Sequence, residues 1–147
     1  MRSRISALLL SLALVGLSTV AAQASSCSNL TIRGSYAFTI HGTIFLPDGS
    51  TLLVDGIDKA TYDGAGNLTQ VDAVALNGNL TPGWRPGTGT YSINTDCTGT
   101  QTIVVPGLPD LHLQMIVAQS GDTIHQVVTD PGFATTAEGE RVKVPED

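Results

Sequence analysis

Turn-forming clusters cut this chain at short, even intervals, and no helix-period segment lies between them. They run Pro47-Asp48-Gly49, Asp63-Gly64-Ala65-Gly66-Asn67, Asn77-Gly78-Asn79, Pro82-Gly83 through Pro86-Gly87, Asp96-Cys97-Thr98-Gly99, Pro106-Gly107, Gly121-Asp122 and Asp130-Pro131-Gly132. Between them lie runs of Val, Ile, Thr, Tyr, Phe and Leu of strand length. Short connections make sequential strands antiparallel neighbours. A meander of about eight strands leaves two long unpaired edges unless it closes. The pattern therefore predicts an all-β domain built as a single antiparallel up-and-down barrel. A two-sheet β-sandwich is the alternative, disfavoured because the connections read as hairpins and not as Greek-key crossovers.

The strands alternate with a period of two. In the first, Ser35 to Phe45, Tyr36, Phe38, Ile40, Gly42 and Ile44 share a face opposite Ala37, Thr39, His41 and Thr43. The second, Thr51 to Tyr62, has mixed faces, and Gly42 and Gly56 lead us to expect a bulge or a sharp bend within these strands. Further strands are expected near 68–76, 88–94, 98–105, 110–118 and 123–129, with a weaker eighth between Phe133 and Val144. The segment Asn77 to Gly87 reads as the longest loop and carries the single tryptophan, Trp84.

The start of the chain reads as a leader and not as part of the fold. Arg2 and Arg4 precede an apolar stretch from Ala7 to Leu17, and Ala22-Gln23-Ala24 is a cleavage pattern. Residues 1–24 are thus expected to be a signal peptide and residues 25–147 the barrel domain, secreted or periplasmic. The apolar stretch is too short for a spanning helix, and no membrane association is expected after cleavage. The net charge of −6, with acids scattered over turns, disfavours nucleic acid as a partner. In an oxidising compartment Cys27 and Cys97, without metal-ligand spacing, are expected to form a disulfide.

No nucleophile elbow, phosphate loop, zinc-helix motif or dinucleotide fingerprint is present. No cofactor and no metal site are expected. His41 and His112 fall opposite apolar faces and read as solvent-facing; His125 sits between two comparable faces. Asp63 to Asn67 lacks the spacing of a calcium loop and reads as a turn. Asn29, Asn67 and Asn79 head glycosylation sequons, which matter only in a eukaryotic source.

Asp72 shares a face with Leu68, Gln70, Val74 and Leu76, opposite Val71, Ala73 and Ala75. Inward, it would be a semi-buried acid suited to proton transfer. The rarity of unpaired buried aspartate favours the solvated reading. Asp58 poses the same question on the preceding strand, and two inward carboxylates would be a sharper signal than one.

Few aromatics and many small strand residues leave little bulk to fill a barrel. Tyr36, Phe38, Ile40, Tyr91, Leu113, Met115 and Val117 are the candidate lining for a small, largely apolar molecule. A filled core made by the same residues, as in a structural or adhesion domain, is the alternative. The blocks Gly34-Ser35-Tyr36-Ala37-Phe38, Tyr62-Asp63-Gly64-Ala65-Gly66-Asn67 and Gly89 through Thr100 carry a resemblance. Their order resembles that of uncharacterised secreted microbial β-barrel proteins, similar in layout to calycin-like and allene oxide cyclase/dirigent barrels. The resemblance implies a barrel that binds a small apolar molecule, or a cofactor-free cyclase or isomerase. In the enzyme reading Asp72, Tyr36 and His125 are the candidates for proton transfer.

Overall fold

A computed structural model describes residues 26–143. The expected leader and the residues from Val144 onward lie outside the described residues. The strands are β1 (Gly34–Phe45), β2 (Thr51–Tyr62), β3 (Asn67–Leu76), β4 (Asn79–Leu80), β5 (Arg85–Ile93), β6 (Thr98–Val104), β7 (Leu111–Ala118), β8 (Thr123–Val128) and β9 (Phe133–Arg141). Short 3-10 turns occur at Asn29–Ile32 and Gln119–Gly121.

All pairings are antiparallel. The ring runs β1–β2–β3–β5–β6–β7–β8–β9, and β9 returns to β1. It is a closed eight-stranded up-and-down barrel, and the sandwich is excluded. The two-residue strand β4 pairs only with the end of β3 and stands outside the ring. Closure removes the edges that a sequential meander would otherwise leave open.

Two local expectations are corrected. The expected 77–87 loop is shorter, because β5 already begins at Arg85. Pairing to β6 starts only at Thr88, so Pro86 sits where the strand has one neighbour and its missing donor is tolerated. Gly42 and Gly56 mark no bulge; both lie in continuous pairing. Their function is close approach. A Cβ on Gly56 would stand 3.0 Å from Val74 Cγ2, and one on Gly42 would stand 2.9 Å from Thr135 Oγ1.

One end of the barrel is closed and packed. The Asn29–Ile32 turn lies across it and seats Ile32 at 0% exposure among Tyr36, Tyr62, Met115 and Ile124. Tyr62 stacks edge-on against Tyr36, at 5.6 Å between centroids, and against Tyr91, at 4.9 Å. Such pairs contribute about 1 kcal/mol each beyond burial. The Cys27–Cys97 disulfide, with Cα atoms 5.0 Å apart, ties this turn to the β5–β6 connection. Arg141 completes the closure: it donates to the carbonyls of Thr31, Arg33 and Gly121 and lies over the Tyr36 ring.

Candidate functional site

The other half of the barrel is open. Small and medium side chains leave a cavity of about 410 Å³, within the usual range for a small-molecule site. Ile40, Val54, Val74, Ile103, Leu113 and Val128 are among its apolar walls, and Leu108 and Phe133 stand near its mouth. The mouth lies at the end where β1 meets β2 and β8 meets β9.

A hydrogen-bonded polar trio lies within the barrel. Tyr62 donates to Gln101 Oε1 at 2.8 Å, and Gln126 Nε2 donates to Tyr62 Oη at 3.2 Å and to Gln101 Oε1 at 3.3 Å. Burial raises the Tyr62 phenol well above its ordinary range, so it stays a neutral donor. Tyr62 belongs to the packed end and Gln126 lines the cavity, so this trio joins the two halves of the interior.

Three charged groups share one wall, across β2, β3 and β5; two more acids, Asp110 and Asp130, stand at the mouth. Asp58 is the direct cross-strand partner of Asp72, and Asp72 that of Arg85. Arg85 grips Asp72 with two hydrogen bonds, Nε to Oδ1 at 2.7 Å and Nη2 to Oδ2 at 3.1 Å. Gln70 Nε2 donates to Asp72 Oδ2 at 3.4 Å. Asp72 therefore points inward and is buried, which corrects the solvated reading. Leu68, Val74 and Leu76 outweigh Val71 and two alanines as a face to bury, and Arg85 offsets the cost of taking the acid with them.

Asp58 has no such partner. Its Oδ1 is buried and accepts no hydrogen bond from the protein; neither does Gln70 Oε1. Burial, and then the Asp72 carboxylate, push the Asp58 carboxyl from its ordinary 3.8 up to about 7. Thr135 Oγ1, on β9, is likewise unpartnered and faces the same cavity.

Of the residues expected to line a site, Phe38, Ile40 and Leu113 do so. Tyr91, Met115 and Val117 belong instead to the packed end. Tyr36 is there too: its hydroxyl donates to the Gly121 carbonyl, and burial raises its phenol to about 12. His125 points out of the barrel, half exposed, with Glu138 at 3.8 Å. The alternation that buries Ile124 and Gln126 puts it there. Of the three expected proton-transfer residues, only Asp72 reaches the cavity. His41 and His112 are also outside, each beside a different aspartate, Asp55 and Asp130. Among the described residues no group of three His, Cys, Asp or Glu side chains is arranged to hold a metal ion.

Asp63 Oδ1 accepts from the backbone of Ala65, Gly66 and Asn67, as a turn aspartate does. Asn29 Oδ1 accepts from the Ile93 amide, so this sequon asparagine is engaged in the fold. Trp84 is 60% exposed on the outer surface, near Lys59 and Glu138. No family model, curated protein or solved structure matches the chain. The cavity must be read from its own chemistry.

Proposed function

We propose that this protein holds a small, largely apolar molecule in the open half of its barrel. The observation that carries this reading is the unequal filling of the interior. One end is packed to exclusion around Ile32 and three tyrosines, while the other keeps about 410 Å³ between apolar walls and a polar wall cluster. A filled structural domain has no use for that division. The Cys27–Cys97 bond fits an oxidising compartment, and with the leader pattern it supports action outside the cytoplasm. No described helix is long and apolar enough to cross a membrane.

The test is extraction of the purified protein into organic solvent with mass spectrometry of what is released, alongside titration with an uncharged environment-sensitive dye. Saturable one-to-one dye binding, lost in Val74→Trp, is the expected result. A wild-type protein that takes up no dye overturns the reading.

A second reading is favoured by one observation: Asp58, near neutrality, faces an Asp72–Arg85 pair in the same cavity. Carboxyls held apart in this way suit acid–base work on a bound molecule. A cofactor-free isomerase or cyclase, of the kind the calycin-like or dirigent-like layout implies, would use Asp58 as the group that gives and takes the proton. Deuterium uptake from D₂O into the extracted ligand, catalysed by the wild type and not by Asp58→Asn, is the check. No uptake with the wild type rejects it.

A further inference from the structure

The charges around the cavity are unbalanced. Asp58, Asp72, Asp110 and Asp130 line it, against one guanidinium, Arg85. That guanidinium is already held by both oxygens of Asp72. At the mouth, Asp130 is met by His112, through its backbone amide and its Nδ1. Asp110 makes no ion pair among the described residues.

The unused hydrogen-bonding capacity points the same way. Gln70 is 6% exposed; its amide nitrogen donates to Asp72, while its oxygen is buried and accepts no hydrogen bond. The two unpartnered atoms flanking Asp72, Asp58 Oδ1 and Gln70 Oε1, are both acceptors. Buried acceptors without donors are costly, and a ligand that supplies donors relieves that cost.

Resting on the reading of the cavity as a ligand site, we propose that its ligand is an apolar molecule carrying a protonated amine. The ammonium sits against Asp58 and Gln70, with Asp72 behind them. A carboxylate head at the same place would face the Asp58 and Gln70 acceptors and add a negative charge beside Asp72, the nearest donors being the Thr135 hydroxyl across the cavity and an Arg85 already committed to Asp72; a hydroxyl has one donor for two acceptors. An ammonium has up to three donors and the complementary charge. The acidic mouth draws in the same ligand.

Binding of a cation to ionised Asp58 displaces that carboxyl's proton. The facing groups are Asp72 on β3, Arg85 on β5, the Gln70 amide and the neutral Tyr62 phenol on β2 itself; on the outer side Asp58 borders a second pocket with Lys59 and the β9 acids Glu138 and Glu140. Phe38, its partner on β1, is apolar. An alkylamine stays protonated through neutrality. Affinity should therefore rise with pH across the neutral range and then level off.

Isothermal titration with octylamine, octanol and octanoate tests this on the full-length protein, as wild type and Asp58→Asn. The expected order is amine, alcohol, carboxylate, with the amine at least about tenfold tighter than the alcohol. Amine binding should release protons, seen as a dependence of the heat on buffer ionisation. Asp58→Asn should lose that preference and the pH dependence. A cooperative thermal melt of that variant, together with neutral-dye binding retained in Leu113→Met, a wall substitution away from Asp58, shows that loss of the preference is not loss of the fold or of the cavity. Octanoate binding as tightly as octylamine, or an Asp58→Asn protein with undiminished amine affinity, overturns the proposal and leaves the apolar cavity standing. Failure of all three ligands and of the neutral dye removes the cavity reading itself.

Discussion

Asp58 and Asp72 stand directly opposite each other on β2 and β3, both on strand faces that turn toward the barrel interior. Their fates differ because of a third strand. Arg85 on β5 reaches Asp72 with two hydrogen bonds, and Asp58 receives none on its buried oxygen. One carboxylate is compensated; the other carries both its own burial and its neighbour's charge. That asymmetry gives the cavity one group whose protonation changes near neutral pH.

A stability profile follows from the raised Asp58 carboxyl. Below its ordinary 3.8, folded and unfolded chains both hold the proton, and the group is silent. Between there and about 7 the unfolded chain ionises while the fold does not, so stability falls as pH rises; above about 7 the loss is complete. The full difference corresponds to on the order of 4 kcal/mol. Asp58→Asn should therefore match the wild type near about pH 4 and melt at higher temperature near about pH 8. Thermal melts of both proteins across that range are the measurement. A constant offset would assign the effect to packing and not to ionisation.

Arg85 is the one basic side chain lining the cavity. Arg85→Met leaves Asp72 buried and uncompensated beside Asp58, and should cost roughly 3 kcal/mol at neutral pH. The paired change Asp72→Asn with Arg85→Met should recover most of that loss, since it removes the charge that lost its partner. Chemical denaturation of the two singles and the double closes the cycle. Purely additive losses would show that the ion pair does not couple the strands.

The barrel was legible because its signals are local. Turn clusters and period-two alternation set most strands nearly to the residue, as at Thr51–Tyr62, though β5 begins three residues early and β4 was missed, and closure follows from the need to remove edges. The Cys27–Cys97 bond was legible from compartment and count. The site was less so, because it depends on strands distant in sequence. The Leu68, Val74 and Leu76 face argued for turning Asp72 inward, but the burial of its charge made sense only with Arg85 beside it. Arg85 was hidden by Pro86 and Gly87, which read as loop; the signal that finds it is its odd-numbered phase with Tyr91 and Ile93, both inward. Which end of the barrel fills was not legible at all. Tyr36 and Tyr91 are as suited to lining a pocket as to packing a core, and Ile32 from the Asn29–Ile32 turn decides it by sealing their end.

The disulfide links residues 70 apart in sequence. Chain-entropy arguments give such a loop about 4 kcal/mol. Replacing both cysteines by alanine should lower stability by up to that amount, and the loss should be felt first at the closed end. Hydrogen exchange at the Ile93 amide, which donates to Asn29, is the local probe. Unchanged protection there would mean that the Asn29–Ile32 turn holds without its covalent tie.

Tyr36 and Arg141 separate stability from binding. The Tyr36 hydroxyl donates to the Gly121 carbonyl, but Arg141 Nη2 donates to the same oxygen at 2.7 Å. Tyr36→Phe therefore leaves no orphaned acceptor and should cost only about 1 kcal/mol. Arg141→Met removes the donors to Thr31, Arg33 and Gly121 together and exposes a barrel end whose plug it holds, so about 3 kcal/mol is expected. Neither residue lines the cavity, so dye affinity should stay at the wild-type value in Tyr36→Phe. A Tyr36→Phe protein that keeps its melting temperature but loses dye or substrate turnover would return this tyrosine to the functional site. The geometry assigns it to the closed end, where its ring and hydroxyl hold β1 against the Gln119–Gly121 turn.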